Sequence, residues 1–363
     1  MGFNCGIVGL PNVGKSTIFN AMTAAGAAAS NYPFCTIDPN IGMVALRDTR
    51  LYKLADLVKP ERILPTAVEF VDIAGIVKGA SKGEGLGNQF LGNIRSVDTI
   101  VHVVRCFEDH LVAHVAGKID PAGDIEVINT ELILADIESL DKRLDRSAKL
   151  IKTGDKATAE AMPVYNALKA ALDAGRPARS VLTPETALLV KDLNLLTSKP
   201  VVYVANVSEG DISGASPAVK LVKDAAAKEG AGFVAICGKI ESEIAELNEL
   251  ERGEFLKGLG LEESGLDKLA HAAYALLGLI TYFTAGKKEV RAWTVVKGAK
   301  APQAAGVIHS DFERGFIRAE VISYEDYIKY GTEAACREKG VLRSEGKEYV
   351  VKDGDVMHFR FNV

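Results

Sequence analysis

One nonapeptide near the amino terminus, Gly9-Leu10-Pro11-Asn12-Val13-Gly14-Lys15-Ser16-Thr17, limits the fold of this chain more than any other segment. It fits G-x-x-x-x-G-K-[ST] and lies between an apolar run, Phe3 to Val8, and an amphipathic stretch, Ser16 to Ala25. That spacing needs a strand, a tight turn and a helix start in succession. The glycines let backbone N–H groups turn inward around a β-phosphate, and the helix N-terminus adds its dipole. Lys15 brings a point charge to the β- and γ-phosphates, Ser16 offers its hydroxyl to Mg²⁺, and Asn12, Val13, Gly14 and Thr17 complete the cradle. A glycine turn without a ligand is the competing reading of the bare pattern. The strand before it and the helix after it argue against that. The segment reads as a nucleotide site.

At 363 residues the chain exceeds one average domain. Strand-like runs at Phe3 to Val8, Val68 to Asp72 and Thr99 to Arg105 alternate with helical patterns at Ser16 to Ala25 and Thr49 to Val58. The alternation resumes at Pro200 to Ala205, Ala218 to Glu229 and Gly232 to Cys237. It predicts an α/β domain with a parallel sheet covered on both faces. From about Ile125 to Leu196 the texture is helical throughout, with Ile128, Leu132, Ala135, Leu140 and Leu144 at helical spacing. From about Gly278 short strands return, at Arg291 to Val296, Phe316 to Val321, Tyr349 to Val351 and Val356 to Phe361. The expected organisation is a nucleotide-binding α/β domain built from 1–124 and 198–277, an inserted helical domain at 125–197, and a small α+β domain at 278–363.

Further residues ask what kind of phosphate-binding protein this is. Asp72-Ile73-Ala74-Gly75 ends an apolar strand, where a carboxylate would hold Mg²⁺ and a glycine N–H would meet the γ-phosphate. Thr36 lies where a switch threonine would complete the magnesium shell. A loop threonine alone is more often a turn residue, but the order and spacing make these a GTPase-type switch set. Base recognition departs from that type. No Asn-Lys pair occurs in the sequence, and the strand ending at Ala205 leads into Asn206-Val207-Ser208-Glu209. Glu209 reaches one methylene further than the usual aspartate, and Val207 removes a lysine stem from the base. Adenine lacks the N2 amino group of guanine and needs an acceptor for N6, so the motif favours ATP, with GTP the alternative. An ordinary helix cap is the plain reading of Asn206 and Ser208. Cys237-Gly238-Lys239 sits where a second base-contacting loop would be.

Composition narrows the context. No run approaches the ~18 uncharged apolar residues of a membrane helix, which predicts a soluble protein without a membrane partner. Five cysteines without a CxxC pair predict a reducing, cytoplasmic setting. The net charge of −5 gives no support to bulk nucleic-acid binding, yet it conceals local patches. Residues 142–156 hold Lys142, Arg143, Arg146, Lys149, Lys152 and Lys156 against Asp145 and Asp155, and residues 278–318 hold seven basic against three acidic side chains. A solvated helix face is the plain reading of the first. Facing one cleft, the two would form a footprint for RNA phosphates.

Together, GLPNVGKST at 9–17, NYPFCT at 31–36, DIAGIVKGASKGEGLGNQFL at 72–91 and NVSE at 206–209 resemble the Obg-like ATPases of the YchF group, a branch of the translation-factor-related P-loop GTPases. The segment from Ala301 to Phe316 is similar to the TGS domain, a ubiquitin-like α+β fold, that closes these proteins. The resemblance spans essentially the whole chain. It implies ATP hydrolysis in preference to GTP, a coiled helical insertion and association with ribosomes. In related GTPases a glutamine after DxxG orients the attacking water, and here that place is Ile76, whose side chain can neither donate nor accept a hydrogen bond. Two substitutes present themselves. Asn12 stands where some relatives bind K⁺ against the phosphates. His114, in the stretch Glu108 to Gly117, is a candidate to place the water beside the charge of Lys15. A solvated loop histidine is its plain reading. Six glycines between Gly75 and Gly92 predict a segment without a conformation of its own until γ-phosphate orders it, so that hydrolysis switches the protein. A ribosome- or RNA-binding module with vestigial hydrolysis is the competing class. A metabolic kinase ranks last, because no arginine precedes Arg95 in that glycine-rich segment.

Overall fold

The computed structural model describes residues 3–28, 40–73, 86–109 and 119–362. The chain opens with β1 (Asn4–Val8), α1 (Lys15–Ala28), β2 (Ile41–Ala45), α2 (Thr49–Val58), β3 (Arg62–Leu64), β4 (Ala67–Asp72), α3 (Leu86–Ser96) and β5 (Thr99–Arg105). Helices α4 (Pro121–Lys152), α5 (Lys156–Asp173) and the short α6 (Pro184–Leu189) follow. After them come β6 (Val201–Asn206), α7 (Pro217–Glu229), β7 (Gly232–Ile236), α8 (Gly238–Glu246), α9 (Glu249–Gly258) and α10 (Gly265–Leu276). The first sheet runs β2-β4-β1-β5-β6-β7 and is parallel except for β2, which pairs antiparallel with β4. Every residue of β5 and β6 is buried, which is why these strands read as unbroken apolar runs: helices cover both faces.

Helix α4 belongs to two cores. Ile125, Ile128, Leu132 and Ala135 pack into the core of the first sheet, while Ile133 and Leu140 pack against Tyr165, Leu168 and Leu172 of α5. The reversal between these helices uses Gly154 at φ 88° and the Asp155 side chain, which accepts from the Thr158 N–H. Buried Asp136 accepts from the N–H groups of Leu196 and Thr197 and from the Thr197 hydroxyl, sealing the returning chain against α4.

The remaining chain forms β8 (Leu279–Ala285), β9 (Glu289–Val296), α11 (Ala301–Ile308), α12 (Ser310–Arg314), β10 (Phe316–Ile322), α13 (Tyr324–Tyr330), α14 (Glu333–Glu338), β11 (Arg343–Glu345) and β12 (Val356–Phe361). The second sheet runs β11-β10-β12-β8-β9-β3, so its last edge is a strand from the N-terminal block, parallel to β9. Helix α2 goes with it. Leu51, Leu54 and Ala55, one stripe at helical spacing, bury against Phe283, Tyr327 and Val356. Arg50 continues the contact by pairing with Asp353 at 2.7 Å, and Arg47 turns back to Glu249 of α9 at 2.8 Å. The chain between β2 and β4 therefore leaves the first sheet, closes the second and returns.

Two local expectations are corrected. Residues 86–92 do have a conformation of their own: α3 starts at Leu86, and Phe90, Leu91 and Ile94 anchor it in the core despite Gly87 and Gly92. Tyr349 to Val351 is not a strand but carries a single bridge, Lys300 to Val350, and Arg343–Glu345 forms the edge instead. Among the described residues no helix is long and apolar enough to cross a membrane.

Candidate nucleotide site

The chain leaves β1 at the centre of the first sheet and enters the loop over 9–14. A Cβ on Gly9 would lie 2.6 Å from the Val103 carbonyl oxygen, so only glycine lets the loop approach β5 this closely. Asn12 adopts φ 63° and Gly14 φ 94°, a left-handed turn that delivers the chain into α1 at Lys15. Val13 is buried and pins the loop from beneath, whereas Ser16 and Thr17 on the first turn of α1 are exposed. The Lys15 Nζ donates to the carbonyls of Gly9 at 2.8 Å and Leu10 at 2.7 Å. Burial lowers the ammonium pKa to about 8, and the negative charge of Asp72 opposes that shift.

Asp72 ends β4, beside β1 in the sheet. Its carboxyl pKa is raised by burial and drawn back by Lys15. Among the described residues its Oδ1 is buried without a hydrogen-bond partner. A carboxylate oxygen left in this way beside a lysine, with an exposed Ser16 hydroxyl at the helix start, fits a hydrated divalent cation. Thr36, Gly75 and His114, the other expected phosphate-side residues, lie outside the described residues, as does Ile76.

On the base side, the four residues after β6 divide their tasks. Asn206 is buried: its Nδ2 donates to the Val13 carbonyl at 2.9 Å, and its Oδ1 accepts the Gly238 N–H at 3.1 Å. It therefore ties the phosphate loop to the start of α8. The Val207 side chain turns into the core, and its N–H donates to Ile236. Glu209 is exposed and accepts from Lys239 Nζ at 2.8 Å, so the two expected base loops meet through this pair. The bridging use of Asn206 has no sequence signal, because it depends on where three segments converge. Arg105, the last residue of β5, was also not singled out in the sequence. It is almost wholly buried, with its guanidinium directed at carbonyls beside the loop. A charged residue ending an otherwise apolar buried strand was the available clue.

The Lys15 geometry predicts a pH dependence. Polyphosphate would hold Lys15 protonated, so above a free-site pKa of about 8 binding must take up a proton. ATP affinity should be level below that pH and fall by up to about tenfold per unit above it. Titrating a fluorescent ATP analogue between about pH 7 and pH 10 measures this, and a flat profile would contradict the placement of Lys15.

A family model described as "50S ribosome-binding GTPase" matches residues 4–151, and the YchF GTPase C-terminal model, described as "Protein of unknown function", matches residues 279–362. The chain is 60% identical over 366 residues to the Bacillus subtilis "Ribosome-binding ATPase YchF", covering 100% of both. It is 59% identical over 364 residues to the Haemophilus influenzae protein of the same description, again covering 100% of both. The solved structure of the Schizosaccharomyces pombe YchF GTPase superposes with a TM-score of 0.89 at 39% identity, covering 99% of this chain and 98% of that one.

Proposed function

The chain belongs to the YchF family, and from that membership and the phosphate-loop geometry we propose that it is an ATPase that binds the ribosome and changes state with its nucleotide. The observation that carries the enzymatic part is a half-buried lysine set near a carboxylate oxygen that is buried without a partner among the described residues, at the mouth of one glycine loop. On this reading Lys15 exchanges two backbone carbonyls for phosphate oxygens when nucleotide enters. Phosphate-loop hydrolases of this fold generally use Mg²⁺. Ser16 and Asp72 are the described residues that would hold it, with Thr36 as a third. Bound there, the ion would neutralise charge growing on the β- and γ-phosphate oxygens.

Asn206 keeps the phosphate loop and the α8 loop at a fixed separation, and Glu209 offers an acceptor to the adenine N6 amino group. Gly75 would meet the γ-phosphate through its N–H. With Ile76 unable to orient water through its side chain, His114 places the nucleophile, and Asn12 would hold a K⁺ ion that would supply positive charge beside the phosphates. Replacing His114 with Ala should lower kcat by about a hundredfold with little change in ATP affinity, and unchanged turnover would remove His114 from the mechanism. Substituting Na⁺ for K⁺ tests Asn12 separately: equal rates in the two salts would exclude the ion.

Ribosome association is read through exposed basic side chains. Arg146, Lys149, Lys152 and Lys156 lie on or beside the α4–α5 reversal, where Lys142 is paired with Glu138, and Lys287, Lys288 and Lys297 lie in the turns at the two ends of β9. Arg143 does not join the first group, because it pairs with Asp192 and lies over the Tyr165 ring. The whole reading is tested by ATP hydrolysis with and without ribosomes, and by ribosome pelleting at rising salt. Hydrolysis with salt-sensitive pelleting is expected. Absence of turnover in both conditions would overturn the enzymatic part, and pelleting unaffected by neutralising both lysine groups would overturn the RNA footprint.

A further inference from the structure

The first sheet has its topological switch point between β1 and β5. From β1 the chain moves out to β2 and β4 on one side, whereas from β5 it moves to β6 and β7 on the other. Ligands of open α/β sheets lie in the crevice beyond the carboxyl ends of such strands. Gly9 leaves β1 on one side of this crevice, and Arg105 ends β5 on the other. Arg105 is 2% exposed, an unusual place for a side chain that cannot lose its charge.

Among the described residues its fork is divided between two segments. Nη1 donates to the Asn12 carbonyl at 3.4 Å, Nε to the Phe107 carbonyl at 3.2 Å, and Nη2 to the Asp109 carbonyl at 3.3 Å. The guanidinium also lies 4.6 Å from the centre of the Phe107 ring. The root of the turn is fixed as well, since the Cys106 N–H donates to the Asn206 carbonyl at 2.8 Å. A planar group with donors in fixed directions is suited to holding several carbonyls at one relative geometry, which an ammonium does not do. Two of the three carbonyls, and the ring, belong to the chain leaving β5. The third belongs to the left-handed Asn12 in the phosphate loop.

We propose that Arg105 is a positioning residue for hydrolysis, clamping residues 107–109 against the Asn12 peptide so that the chain leaving β5 is held beside the γ-phosphate end of the loop. Nucleotide affinity is assigned mainly to Lys15 and the loop N–H groups, and the loop keeps anchors independent of Arg105 in the Asn206 bond to the Val13 carbonyl and the Lys15 bonds to Gly9 and Leu10. Turnover depends on registry across the crevice, where small displacements are costly. The inference rests on the reading of this chain as an ATPase.

Steady-state kinetics and fluorescent-nucleotide binding of the full-length Arg105→Lys and Arg105→Gln variants test it. The expected result is a fall in kcat of about tenfold or more, with Kd for ATP within about threefold of the parent in both variants. Adding guanidinium chloride below denaturing concentration should recover part of kcat in Arg105→Gln without raising the parent rate. Unchanged kcat, or kcat and affinity lost in equal proportion, would overturn the proposal by reducing Arg105 to a packing or loop-shape role. If one variant does not fold, the other decides by the same criterion. A parent protein that hydrolyses no ATP would instead sink the ATPase reading itself.

Discussion

Replacing Lys15 with Ala is expected to reduce ATP turnover by about a hundred- to a thousandfold, the usual cost of removing one preorganised charge aimed at developing negative charge. The bonding of Lys15 gives this variant a distinctive second signature. Lys15 is held in a partly desolvated position by two carbonyls, and that burial disfavours its charge until phosphate arrives. The variant should therefore unfold at no lower temperature than the parent when nucleotide is absent, while the upward shift of the parent's midpoint on adding ATP should disappear. Thermal unfolding with and without ATP measures both. Retention of the ATP-dependent shift would mean that binding does not run through this lysine.

Gly14 carries the second large effect. At φ 94° an L side chain is strained by about 1–2 kcal/mol. An added Cβ would also lie 2.1 Å from the Asn206 Nδ2, an amide committed to Val13 and, through Oδ1, to Gly238. Accommodating Gly14→Ala means breaking that bridge, and each buried group left unpaired costs about 1–3 kcal/mol. ATP affinity should fall by about a hundredfold or more. Asn206→Ala removes the obstacle along with the bridge, so Gly14→Ala should cost less in that background than in the parent. A cycle of the two substitutions, read by ATP affinity, should be sub-additive by about 1 kcal/mol or more. Additive losses would show that Asn206 does not link the loops.

The parts of this fold that are local in sequence were legible there. The phosphate loop, β5 at Thr99–Arg105 and α2 at Thr49–Val58 follow from spacing and periodicity alone, and the structure has both elements at those bounds. The destination of α2 was not legible. An amphipathic helix announces that one face is buried but not which core buries it, and Leu51 and Leu54 bury against residues more than two hundred positions away. The three residues of β3 are too few for a periodic signal, and their partner β9 lies equally far along the chain. In α3 Gly87 and Gly92 suggested a chain without structure, but Phe90, Leu91 and Ile94 outweighed them in the core. At the site, residue types were readable and bonding partners were not. Asn206 looked like a base contact or a cap, and only the convergence of β1, β6 and α8 explains its bridging bonds. Glu209 looked free for a base, but its bond with Lys239 makes the base edge a joint property of two loops.

The central claim, an adenine nucleotide held at this loop and hydrolysed, is tested most directly by displacement of a fluorescent ATP analogue from the full-length protein with Mg²⁺ present. The account predicts that unlabelled ATP displaces it at a concentration about tenfold or more below that required of GTP, with ATP the substrate turned over. GTP displacing the analogue as well as ATP, or better, would contradict it.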